Sequence, residues 1–195
     1  MKEFTNEEVL QVFRDCGGLL EGHFLLTSGR HSDKYMQCAK LFIRPKKAEA
    51  LCAALADKLK DMKIDVVASP AIGGIIMGYV MAKRLNAKNV FAERENGKMV
   101  LRRGFEILPK DRVLVVEDVV TTGGSAMEVV ELVKECGAKV AGVASVVDRS
   151  NGKVDFGVPY RALLSMEVVS YEAAECPICK KGIPLVKPGS RNIAK

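Results

Sequence analysis

No apolar run in this 195-residue chain approaches the roughly 18 residues that a membrane-spanning helix needs. The opening residues, MKEFTNEEVL, are acidic and carry no apolar stretch of the signal-peptide kind, which predicts a cytoplasmic protein. There is no internal repeat and no low-complexity tract. Only two histidines occur, His23 and His31, and neither falls in metal-ligand or triad spacing, so both are read as structural or surface groups. Six cysteines are present, but a chain without an export signal is not expected to use disulfides. Cys52 and Cys136 fall at apolar positions of predicted helices and read as small core residues. Cys176 and Cys179, in CPIC, have the spacing of half a zinc site. No second cysteine pair exists, and His23 or His31 would have to complete it, so no protein-bound metal is expected. The context also differs from a thioredoxin-like helix start, which argues against a redox pair.

What is present is ordinary for a globular chain: 48% hydrophobic and 28% charged residues. The length fits one domain with a small subdomain. A net charge of +6 points to an anionic partner, either a phosphorylated metabolite or nucleic acid, and leaves the positions of the charges to decide. A first helix is signalled by the capping box Thr5/Glu8 and the staple Phe4/Val9, with Gly17 and Gly18 ending it. Extended runs at 23–27 and 34–38 flank a turn-rich SGRHSD and predict a hairpin. Pro45 opens a helix whose buried face is Ala48, Leu51, Cys52, Leu55, Leu59 and Met62. Then short apolar strands alternate with helices: strands at 66–69, 90–92, 113–116 and 140–147, helices at 72–85 and 124–136. That pattern predicts an α/β fold with a parallel sheet covered on both faces, and places chemistry at the carboxyl ends of its strands.

The strongest signal lies in VLVVEDVVTTGGS. An apolar strand ends in the acids Glu117 and Asp118, followed by Val119, Val120 and a loop, Thr121, Thr122, Gly123, Gly124 and Ser125, that opens a helix. Glycines let backbone approach a ligand, and a helix start offers unpaired N–H groups and the positive end of a dipole, which suit a phosphate. The acids cannot bind that phosphate; they suit sugar hydroxyls or a metal that carries other phosphates. No lysine follows the glycines, so this is not a Walker loop, and the dinucleotide glycine spacing is absent. A second loop, SPAIGGI, also precedes a helix, and Asp148-Arg149 closes the last long strand. Arg149 has the planar fork that a carboxylate accepts, and the bland alternative is a surface pair with Asp148.

The motif resembles the phosphoribosyl-diphosphate (PRPP) loop of type I phosphoribosyltransferases, and the chain is most similar within them to orotate phosphoribosyltransferases. The resemblance spans GHFLLTSGRHSDKY, SPAIGGI, FAERENGKMVLRRGF, VVDR and GIPLVKPGSR. It implies one phosphoribosyltransferase domain over 1–195, a core at about 45–160, and a hood from about 1–40 and 165–195. It implies that Glu117 and Asp118 hold the ribose and Thr121 to Ser125 the 5-phosphate, with Ala71, Gly73 and Gly74 toward the pyrophosphate. Many orotate enzymes carry lysine where Gly73 stands. Arg94 and Lys98 would meet the diphosphate from a mobile lid shared across a homodimer, with Lys98, Arg94 and Asp118 as the catalytic set. Glu95 stands where a basic residue is frequent, and the lid has no histidine. Thr121, Arg149, Ser28, Gly29 and Arg30 would bind orotate, and Mg²⁺ would ride mainly on the diphosphate. Two alternatives remain open at this point: a type I enzyme for a purine or another base, and a PRPP-sensing nucleic-acid-binding regulator on the same fold. No helix-turn-helix or winged segment precedes the fold, which disfavours the regulator.

Overall fold

The computed structural model describes residues 4–26, 28–167 and 169–188; Thr27 of the hairpin turn and the end of GIPLVKPGSR, from Gly189, lie outside them. Helix α1 (Asn6–Asp15) begins as its local signal requires. Thr5 Oγ1 accepts the Glu8 N–H at 3.3 Å, and Glu8 returns a carboxylate to the Thr5 N–H at 3.0 Å. Strands β1 (Leu19–Leu25) and β2 (His31–Met36) form a separate two-stranded antiparallel sheet. Both begin earlier than their apolar runs suggest, β1 directly after Gly18, the φ of 64° at Gly17 turning the chain out of α1. Helix α2 (Pro45–Asp57) carries proline in its first turn and buries Leu51, Cys52 and Leu55 completely. Leu59 and Met62 follow the helix rather than lie in it, and Leu59 is still fully buried.

Six strands make the central sheet: β3 (Val66–Pro70), β4 (Lys88–Glu95), β5 (Lys98–Leu101), β6 (Arg112–Val120), β7 (Lys139–Asp148) and β8 (Tyr160–Ser165), in the order β5-β4-β3-β6-β7-β8. Helices α3 (Gly74–Leu85) and α4 (Gly124–Glu135) connect them, and the short α5 (Pro177–Lys180) lies in the C-terminal segment. The pleat splits the strands between two cores. Val67, Leu114, Val116, Ala144 and Val146 pack with α1, α2 and α3; Val66, Ala68, Val113, Val115 and Val143 pack with α4. This two-sided burial is why the strands read as continuous apolar runs. In α4, Ala126, Val129, Val130 and Val133 form the inward stripe, and each buried valine contributes on the order of 1.5–3 kcal/mol.

Four expectations are corrected. The sheet is mixed, not wholly parallel: Asn96 (φ 50°) and Gly97 (φ 84°) form a two-residue turn, and a turn that short forces β5 antiparallel to β4. Strand β6 does not stop at the acids; Val119 and Val120 still pair with Val147 and Asp148. Strand β8, which the sequence reading left out, adds to the edge beside β7. Cys136 caps α4 and is only half-buried, unlike the fully buried Cys52.

Candidate active site

β3 and β6 are adjacent and parallel, but their helices lead apart. α3 carries the chain from β3 to β4 on one side, and α4 carries it from β6 to β7 on the other. The carboxyl ends of β3 and β6 therefore open a crevice at the point where strand order reverses, the place where such sheets bind ligands. A cavity of about 340 Å³ lies there, lined by Ala71, Gly73 and Gly74 from one loop and by Glu117, Asp118, Val119 and Thr121 to Ser125 from the other. Pro70 and the exposed Ile72 of SPAIGGI also line it, although neither was a candidate binding residue. Val120 lies outside the lining; its carbonyl accepts the Arg149 N–H at 2.8 Å.

Both helices that start at the cavity lack a side-chain cap, so their first N–H groups face the ligand space. Gly123 is required twice over. Its φ is 76°, and a Cβ there would stand 2.6 Å from Val154 Cγ1 and 3.1 Å from the Phe156 ring. Val154 and Phe156 thus back the Thr121–Ser125 loop, a role with no signature in their own segment. Thr121 and Thr122 are exposed at the cavity, and Ser125 is half-buried.

The acid pair is held at an electrostatic cost. Burial, and then the neighbouring Asp118, push Glu117 up to about 7. Burial also raises Asp118, opposed by the Val119 N–H, which donates to Oδ1 at 2.9 Å. Neither carboxylate has an ion-pair partner among the described residues. A Cβ on Gly73 would lie 3.3 Å from Asp118 Oδ1, so the lysine many orotate enzymes carry at that place would start directly against this carboxylate.

The remaining candidates divide. Arg149 follows β7, and its Nε is buried without a hydrogen-bond partner. Burial lowers its pKa, with Cys38 and Tyr35 acting in the opposite direction. The surface pair with Asp148 does not form. That buried carboxylate instead accepts the Ser150 N–H at 2.8 Å, the Ser150 hydroxyl at 2.6 Å and the Gly152 N–H at 2.8 Å, holding the turn after the strand. Ser28 and Gly29 are exposed in the turn between β1 and β2. Arg30 is already engaged: its guanidinium donates to Ser170 Oγ at 2.8 Å, to the Ser170 carbonyl at 2.7 Å and to the Glu172 carboxylate. Arg94 donates to the Gly97 carbonyl at 2.6 Å and to Glu128 of α4 at 2.8 Å, and Lys98 is exposed beside Met127 and Glu128. Neither Arg94 nor Lys98 is among the residues that line the cavity.

The phosphoribosyl transferase domain family matches residues 43–161. An orotate phosphoribosyltransferase of Thermoanaerobacter sp. (strain X514) is 59% identical, covering 95% of this chain and 97% of that protein. One of Chlorobaculum parvum is 56% identical over 98% and 99%. Among solved structures, Mycobacterium tuberculosis orotate phosphoribosyltransferase in complex with inorganic phosphate superposes with a TM-score of 0.67 at 25% identity, covering 82% of this chain and 95% of that one. With an acid pair and two uncapped helix starts meeting at the switch point of a type I phosphoribosyltransferase sheet, the chain belongs to the orotate phosphoribosyltransferases.

Proposed function

We propose that this chain transfers the ribose 5-phosphate group of PRPP to orotate, giving orotidine 5′-phosphate and pyrophosphate, a cytoplasmic step of pyrimidine synthesis. The observation that carries this reading is the pairing of two anion-binding loops across β3 and β6, with Glu117 and Asp118 between them. PRPP is a sugar with phosphate at both ends, and this cavity offers N–H groups at both ends and carboxylates in the middle. Thr121 to Ser125 and the start of α4 take the 5-phosphate. Glu117 and Asp118 accept hydrogen bonds from the ribose hydroxyls. The backbone of Ala71, Gly73 and Gly74 faces the diphosphate.

The reaction is displacement at the anomeric carbon, with positive charge growing on the ribose as the diphosphate leaves. The protein positions two anions, excludes water and neutralises the leaving group. In this reading Arg94 and Lys98, which lie on the flank of α4, serve the site of a neighbouring subunit in a homodimer, and removing one such cation costs about 10²–10³ in turnover. The hairpin and the C-terminal segment form the hood, where Ser28, Gly29 and Arg30 border the base, Thr121 approaches it, and Arg149 meets its carboxylate. A hard cation takes oxygen ligands, and the cavity supplies the carboxylates of Glu117 and Asp118, so the residues fit Mg²⁺ arriving with PRPP. When bound, it offsets the charge of the departing diphosphate.

The deciding experiment is product formation from PRPP with orotate, uracil, adenine and hypoxanthine offered separately. Turnover confined to orotate supports the reading. A purine used as well as orotate refutes it.

A further inference from the structure

The two histidines and the CPIC cysteines, far apart in sequence and not expected to hold a metal, meet in the hood. His23 and His31 are both buried, at 3% and 6% exposure, rather than at the surface. His23 Nε2 lies 3.0 Å from His31 Nδ1, 3.5 Å from Cys176 Sγ and 3.6 Å from Cys179 Sγ; Cys179 Sγ lies 3.3 Å from His31 Nδ1. All four donor atoms lie within 4.8 Å of one another.

We propose that these four side chains form a structural zinc site that staples the hood. A tetrahedral zinc with Zn–N of about 2.0–2.1 Å and Zn–S of about 2.3 Å separates its donors by about 3.3 Å (N···N), 3.6 Å (N···S) and 3.8 Å (S···S). The four separations given above lie within about 0.3 Å of these, and the other two pairs are no more than 4.8 Å apart. The second shell fits as well. The Ile183 carbonyl lies 2.7 Å from His23 Nδ1 and accepts the hydrogen bond of its N–H, which leaves the Nε2 lone pair facing the cluster. Two thiolates and two neutral imidazoles balance the ion's charge, so a closed and largely buried site carries no net charge. Binding releases the two thiol protons. Softness of the donors selects zinc over magnesium or calcium.

The position gives the site its work. The outer edge of β1 bonds to Val186, where Leu25 N–H donates at 2.9 Å and the His23 carbonyl accepts at 2.8 Å. The outer edge of β2 bonds to Tyr171 through both backbone groups of His31. Cys176 and Cys179 come from the segment between those two contacts. A metal here joins the hairpin to a C-terminal segment with few buried residues of its own. Four protein ligands close the coordination shell, so the site is structural and independent of the sugar-transfer chemistry.

The test is metal analysis of the full chain, prepared without added metal and without a metal-binding tag. About one zinc per chain is expected, falling at least tenfold in the Cys176→Ser/Cys179→Ser variant. Should that variant fail to fold, the wild type decides alone. Stripped of metal and titrated with Co²⁺, it acquires the visible bands of a tetrahedral thiolate-bound cobalt site at one equivalent. Wild-type protein that carries no zinc and develops no such bands overturns the proposal, as does a Cys176–Cys179 disulfide found by thiol counting in freshly prepared protein.

Discussion

Replacing Arg149 with alanine separates substrate recognition from stability. Orotate differs from uracil by a carboxylate, and a selective site needs a cation that is not already satisfied. Arg149 meets that requirement: its Nε is buried and unpartnered, and Asp148, the obvious acid beside it, is committed to Ser150 and Gly152. A charge-assisted hydrogen bond contributes about 1.5–3 kcal/mol, and a forked pair in a half-buried site somewhat more. Loss of about 2–4 kcal/mol follows, which is roughly 30- to 1000-fold in orotate affinity. PRPP affinity should change less than about threefold, because both phosphate loops are untouched. Stability behaves in the opposite sense to function. The variant removes a cation that pays desolvation without a partner, so its melting temperature should stay level or rise. Arg149→Lys keeps the charge without the fork and should recover only part of the loss. Calorimetric titration of each ligand, with thermal melts of the same samples, measures all of this. Unchanged orotate affinity, or an equal drop for both ligands, would falsify the assignment.

Chelation by EDTA should abolish turnover, and Mg²⁺ alone should restore it; full activity in chelator would contradict the role given to the diphosphate-bound ion. Asp118→Asn should lower turnover at least about tenfold, some 1.4 kcal/mol, if the acid holds ribose hydroxyls, and unchanged kinetics would make it a bystander. Mixing that variant with Lys98→Ala tests lid sharing. Random re-pairing of two inactive chains in a shared-site homodimer yields about a quarter of wild-type activity, whereas sites complete within one chain yield none. Glu117 predicts a pH dependence in the ligand-free protein. Its folded pKa of about 7 stands above the ordinary 4.5, so its contribution is fully present below 4.5 and is lost as pH rises to about 7. The loss is at most about 3 kcal/mol. Urea unfolding at pH 5 and pH 8 should show wild type losing stability relative to Glu117→Gln at the higher pH, and a constant difference between the two proteins would contradict the buried-acid picture.

The capping box of α1, the proline start of α2, the alternation of apolar strands and helices, and the glycine-rich start of α4 were all legible in the sequence, because each is a local matter. Backbone N–H groups, φ preferences and side-chain periodicity act over a few residues, so the pattern and the structure are the same fact. The acid pair and its loop belonged to this class too, since both sit on one strand end. Only the tertiary structure decided what depends on distant partners. The commitment of the Asp148 carboxylate to Ser150 and Gly152 left the Arg149 Nε without a hydrogen-bond partner among the described residues. Arg94 and Lys98 proved to lie on the flank of α4 rather than in the cavity of their own chain. The clearest case is the meeting of both His23 and His31 with cysteines more than 140 positions later in the chain, where the sequence offered only half a zinc site and no metal was expected. Ligand spacing in a sequence reveals a metal site only when the ligands share one local element. Here each pair comes from a different segment, and hydrogen bonding between those segments brings the four donors to one point.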